Sequence, residues 1–162
     1  MQPPPIADAP IHDLRNNLRS GEKFVREQSK RELAGRPKDE VLAALRQWWP
    51  QLEADRPNSE HGLYEALGVF EWLEAPEPAL LQKLLESKVP EARAYAAGTV
   101  GRWADRLPPQ FDAVEKLSDL AHDEDPRVRL AAIVAAGNIP RPESMVVVFG
   151  AAPTRGTGYR DA

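Results

Sequence analysis

The chain repeats itself, and that constrains its fold more than any other feature. The clearest copy ends in Asp123-Glu124-Asp125-Pro126-Arg127-Val128-Arg129 and continues through Leu130-Ala131-Ala132-Ile133-Val134-Ala135-Ala136-Gly137. Thirty-six residues earlier, Pro126, Arg129, Ala132 and Gly137 become Pro90, Arg93, Ala96 and Gly101. A further 67 residues before Arg93 stands Arg26, preceded by Val25 as Arg129 is by Val128. Self-similarity at a period in the thirties or forties marks stacked helical units, none of which buries its apolar face alone. Such a chain offers a long surface, so the functional question becomes what lies along it.

Each copy reads as two helices. In the first helix Leu14, Leu81 and Leu117 share a register, with Leu18, Leu85 and Ala121 four residues later. A spacing of four puts both positions on one helical face. Ser20, Ser87 and Asp123 follow, residue types suited to tight turns and helix starts. Pro90 and Pro126 fit a first helical turn, where a missing N–H costs nothing. In the second helix Val25, Ala92 and Val128 point inward. Ser29, Ala96 and Ala132, four residues on, are small enough to let neighbouring helices approach. Gly101 and Gly137 lie where that helix ends or thins.

A fourth hairpin of weaker register sits after the first copy. Its first helix runs from about Lys38 to Trp49, with Val41, Leu42 and Leu45 on one face and Pro50 ending it. Its second runs from about Ser59 to Leu73, capped by Asn58 or Ser59, with Leu63, Ala66, Leu67 and Phe70 inward. The expectation is therefore an all-α solenoid of about four antiparallel hairpins, at about 10–35, 38–74, 77–105 and 109–138. Residues 1–9, with Pro3-Pro4-Pro5, read as an extended lead-in, and 10–140 as the repeat domain. Residues 141–162 read as an irregular tail or incomplete repeat. Pro142–Phe149 opens like a fifth hairpin, but Val146-Val147-Val148 equally suits a short strand. The Gly-rich stretch after it cannot sustain a helix.

Bulk properties exclude several function classes. Of 162 residues, 21 are Lys or Arg and 25 Asp or Glu, a net charge of −4. No broad positive field is available to attract nucleic acid or an anionic membrane. With no cysteine there are no disulfides, thiolate metal sites or thioether-linked haem. No apolar run approaches the ~20 residues of a membrane span. The start lacks the basic and apolar regions of a signal peptide. The expectation is a soluble protein.

Asp123 through Gly137, with its echo 36 residues earlier, resembles the HEAT-repeat (armadillo-like) family. The resemblance covers about residues 10–140, and its Pro-x-Val-Arg core stands at Pro126–Arg129. The other copies depart from it, with Lys23 in place of the proline and Ala92 in place of the valine. Three further pieces are similar to the HEAT segment of large secreted planctomycete proteins with haem-binding and dehydrogenase-type domains. These are Val25-Arg26 with Arg31-Glu32-Leu33, Glu60–Leu67, and Ala92–Ala97 with Trp103. That resemblance implies a secreted or periplasmic parent. It brings no cofactor here, since the chain lacks cysteine. What the family resemblance implies is a non-catalytic scaffold for a protein or peptide, with second helices lining the concave side. On that reading the contact surface has Trp49, Tyr64, Tyr95 and Arg102 as anchors. A structural spacer or dimerisation module of a larger secreted redox protein is the alternative, with homo-oligomers joined through the apolar 145–149 stretch.

Other constellations weigh less. Arg26, Arg93 and Arg129 form a ladder, read as structural rather than as an anion-binding row, with Asp123 and Asp125 as candidate partners. Trp48 and Trp49, ~100° apart on a helix, cannot both face the core. One is partly exposed, while Trp72 and Trp103 read as packing. His12, His61 and His122 have no metal-ligand spacing. The acidic clusters Glu74–Glu77 and Asp119–Asp125 read as solvated turns. Trp103-Ala104-Asp105-Arg106 holds the residue types of HEAT-like DNA glycosylases, a lesser alternative opposed by the net negative charge.

Overall fold

A computed structural model describes residues 6–52 and 59–150. Among these are nine α-helices: α1 (Ile11–Asn17), α2 (Lys23–Ala34), α3 (Lys38–Trp48), α4 (Ser59–Trp72), α5 (Pro78–Leu85), α6 (Pro90–Trp103), α7 (Ala113–Leu120), α8 (Pro126–Gly137) and α9 (Pro142–Gly150). Short 3-10 turns follow α3 (Trp49–Gln51) and precede α7 (Pro109–Phe111), and the described residues contain no strand. Residues 1–5 of the proposed lead-in (1–9), the cap at Asn58 and residues 151–162 lie outside the described residues.

The architecture is a HEAT-like α-solenoid. Within units α1 packs on α2, α5 on α6 and α7 on α8; between units α2 meets α4, α4 meets α6 and α6 meets α8. The first helices form one layer and the second helices another. Repeat positions explain the core between them. Leu14, Leu81 and Leu117 are fully buried, and so are Ser29, Ala96 and Ala132. Pro90 and Pro126 open α6 and α8. The turns before α2, α6 and α8 are tied in the same register: Glu22 N–H donates to Ser20 Oγ (3.2 Å), Val89 N–H to Ser87 Oγ (3.0 Å) and Asp125 N–H to Asp123 Oδ1 (2.9 Å). A side chain closing its own turn two residues on is a device that serine and aspartate share.

Two expectations need correction. Residues 142–150 are a helix rather than a short strand. Ser144 is fully buried and donates to the carbonyls of Ile139 (2.8 Å) or Arg141 (2.7 Å), while Val147 is buried as α9 packs on α7 and α8. Burial on that face overrides the β preference of the valine triplet. Trp72 is 52% exposed rather than packed. It follows the buried Phe70 by two residues, ~200° around the helix, and so points to the opposite face. Gly101 lies in the last turn of α6, as its repeat position implies, and its backbone there abuts α8.

Candidate functional site

The arginine ladder organises the second-helix layer. Arg26, Arg93 and Arg129 each use Nη1 to donate to the carbonyl six residues earlier, at 2.8 Å in every copy: Ser20, Ser87 and Asp123. Each guanidinium thereby holds the turn that precedes its own helix. The remaining N–H groups of the first two reach the next unit. Arg93 donates Nε and Nη2 to Asp123, both at 2.8 Å, and Arg26 donates Nε to Glu65 at 3.0 Å. A planar fork suits that double task where lysine would not.

Glu65 is the hub of the first joint. It sits on α4, 4% exposed, with Lys30 Nζ 2.7 Å and His61 Nε2 3.2 Å away in addition to Arg26. The Lys30 contact is an ion pair without hydrogen-bond alignment. Lys30 is also 2.8 Å from Glu27. Burial pushes the Lys30 ammonium down, but Glu27 and Glu65 together carry it above its ordinary value. Burial holds the His61 imidazole low, and the Arg26 charge adds to this.

The second joint continues the line. The His61 and Tyr64 rings stack with centroids 6.0 Å apart, and Tyr64 meets Tyr95 of α6 at 4.5 Å. Tyr95 donates its hydroxyl to Glu71 Oε2, and Arg102 donates Nε to Glu71 Oε1 at 2.7 Å. The Arg102 guanidinium lies 5.9 Å from the Tyr95 ring centroid, a cation–π arrangement, and donates Nη2 to Thr99 Oγ1 at 2.9 Å. Burial raises the Tyr95 phenol far above its usual range, and the bond to Glu71 raises it further. Burial also raises Tyr64, with help from the nearby Glu65 charge. Two glycines keep the line open: a Cβ at Gly98 would stand 3.1 Å from Arg102 Nη1, and one at Gly68 would stand 3.5 Å from the Tyr95 hydroxyl.

Beside this line, α2, α4 and the start of α6 bound an open groove of about 820 Å³, lined among others by Lys23, Arg26, Lys30, His61, Tyr64 and Val89. The structure thus brings Tyr64, Tyr95 and Arg102 together on the second-helix layer. Trp49 is elsewhere, half-buried in the turn after α3. Trp48 is the buried member of that pair, at 7% exposure. Trp103 is 1% exposed, so it shows no face beside Asp105 and Arg106. His12 pairs with the adjacent Asp13, and His122 Nδ1 donates to the Ser118 carbonyl oxygen. Among the described residues no group of three or more His, Asp or Glu is placed to hold a metal ion. Glu65 in the groove and Glu71 at the second joint are occupied by cations and a phenol, which leaves them as structural joints.

Sequence reasoning missed Glu65 and Glu71. Glu65 adjoins Ala66, the position equivalent to Ser29 and Ala96, whereas Asp123, the other acid of the ladder, stands in the turn, so the repeat register does not mark either.

Residues 77–154 match the family described as HEAT repeats. The match supports a HEAT-repeat family and agrees with the stacked hairpins from α5 to α9. No curated protein and no solved structure matches the chain. The narrower resemblance to secreted haem-binding proteins therefore rests only on the residues that suggested it. No described helix is long and apolar enough to cross a membrane.

Proposed function

We propose that the chain is a non-catalytic scaffold that holds a protein or peptide segment along its second-helix groove. The observation that carries this reading is the continuous line His61–Tyr64–Tyr95–Arg102 across two units, flanked by the open groove. Tyrosine and arginine on a rigid helical platform are the residue types that dominate binding hot spots. The rings are held in place by neighbours, so little side-chain freedom is lost when a partner binds. The groove's buried Glu65 is held by Arg26, Lys30 and His61, which favours a fixed recognition surface.

The test is a pull-down on the immobilised chain from extract of its source cells, followed by titration of the purified partner. Tyr64→Ala and Arg102→Ala each weaken binding about ten-fold or more if the groove is the contact surface. Unchanged affinity in both variants would exclude the groove.

A further inference from the structure

We infer that His61 is an acid-sensitive latch on the groove: a proton taken up by its imidazole loosens the joint between α2 and α4 and lets the bound segment go. The release step rests on the groove reading above; the loosening of the joint does not. The groups around the imidazole are already committed. Its Nε2 is buried and faces Glu65 Oε1 at 3.2 Å, without the alignment of a hydrogen bond. That same oxygen accepts from Arg26 Nε at 3.0 Å, the bond that ties α2 to α4, and Lys30 Nζ stands 2.7 Å from Oε2. The ring itself stacks on Tyr64.

A neutral imidazole completes this arrangement. Arg26 and Lys30 of α2 balance Glu65 of α4 and Glu27 of α2. The other charges of the groove are engaged elsewhere or stand in water. Glu60 accepts from the Ser87 hydroxyl, Glu91 at the start of α6 pairs with Arg127 at 2.7 Å, and Lys23 is exposed in the first turn of α2. Tyr64 stays a neutral phenol, since its titration lies above its ordinary value of 10.0. The imidazolium is thus a third cation on one carboxylate that is 4% exposed. It gains a bond only by taking Oε1 from Arg26, which cuts the rung between units, or by turning out to water, which breaks the stack with Tyr64. Burial, with the Arg26 charge added, opposes protonation of the closed form. The joint is therefore complete above the ordinary histidine value of 6.5 and weakens as pH falls through it, because the opened form binds the proton more tightly. The later units carry no counterpart: the positions equivalent to His61 are Glu91 and Arg127.

The chain contains no cysteine, so one introduced thiol reads the joint directly. Ser29→Cys places it on α2, where the serine is fully buried and its hydroxyl has no hydrogen-bond partner among the described residues. Labelling by dithiodipyridine, which reacts in acid as well as at neutrality, is compared at about pH 7.5 and about pH 5.5 on the full chain, relative to the urea-unfolded chain. The expected result is a rise of about ten-fold in acid, absent when His61→Gln is added. Equal rates at both pH values, or the same rise with His61→Gln, overturn the proposal. With the partner retained in the pull-down, Kd should rise about ten-fold over the same interval, and the His61→Gln chain should lose that dependence whatever its affinity at neutral pH. Labelling that responds to acid while affinity does not overturns the release step. Full affinity of Tyr64→Ala at neutral pH instead defeats the groove reading, and the labelling result still decides whether His61 governs the joint.

Discussion

Arg93 grips Asp123 with two parallel N–H···O bonds of 2.8 Å while a third N–H holds the Ser87 carbonyl. One side chain thus fixes its own turn and the next unit's turn together. Asp123 in turn accepts from Asp125 N–H, so losing it loosens both α6 and the start of α8. Both side chains are about 10% exposed, yet the neighbouring Glu124 is 88% exposed, which places the pair at the rim. Its loss should cost an amount between exposed and interior pairs: Asp123→Ala is expected to lower unfolding free energy by about 2 kcal/mol. Urea denaturation measures this. An unchanged midpoint would mean that the ladder is ornamental.

The same pair sets an acid limb in stability. The hydrogen bond from Arg93 holds the Asp123 carboxyl below its ordinary value, against a smaller opposing effect of burial. A depressed folded-state value means that the folded form binds fewer protons than the unfolded one as pH falls. The contribution is complete above about pH 4 and disappears as pH drops through the lower folded-state value. Asp123→Asn should therefore flatten the loss of stability below pH 4. A wild-type and Asn variant with parallel stability–pH curves would count against the assignment.

Much of this was legible in the sequence because repeats report the same position several times. The inward set Leu14, Leu81, Leu117 and the prolines at helix starts follow from spacing alone. The joints did not follow. Whether Arg26 meets an acid depends on the rotation of α4 against α2, and nothing local in Glu65 distinguishes it from a solvated glutamate. Trp72 was missed for a related reason: a large apolar residue suggests burial by type, while its angular position relative to Phe70 decides. The helix at 142–150 was obscured because valine's local preference opposes the contacts made by Ser144 and Val147.

Trp72 and Trp103 close and open α6's neighbourhood in opposite ways. Trp103 is 1% exposed and Trp72 is 52% exposed. Truncating the first removes a large core side chain, so Trp103→Ala should cost about 3–5 kcal/mol. Trp72→Ala should change stability by less than about 0.5 kcal/mol. Iodide quenching gives an independent check: removing Trp72 should delete an accessible emission component that Trp103→Phe leaves in place. Equal quenching losses would contradict the placement.

The α6–α8 contact depends on one missing methyl group. A Cβ at Gly101 would lie 2.9 Å from the Ala135 carbonyl oxygen and 3.0 Å from its Cα. These are backbone atoms, so no side-chain rotation relieves the clash, and the two helices must separate. Helix propensity alone would favour alanine by about 1 kcal/mol. Overpacking of a tight contact costs about 1–3 kcal/mol and should outweigh it, giving net destabilisation in Gly101→Ala. Gly137 is the control: its nearest neighbour to an added Cβ is Val148 at 4.0 Å, an ordinary contact. Gly137→Ala should be neutral or stabilising. Thermal melts of the two variants decide the matter, since their shifts should have opposite signs if α6 and α8 touch through Gly101 and Ala135.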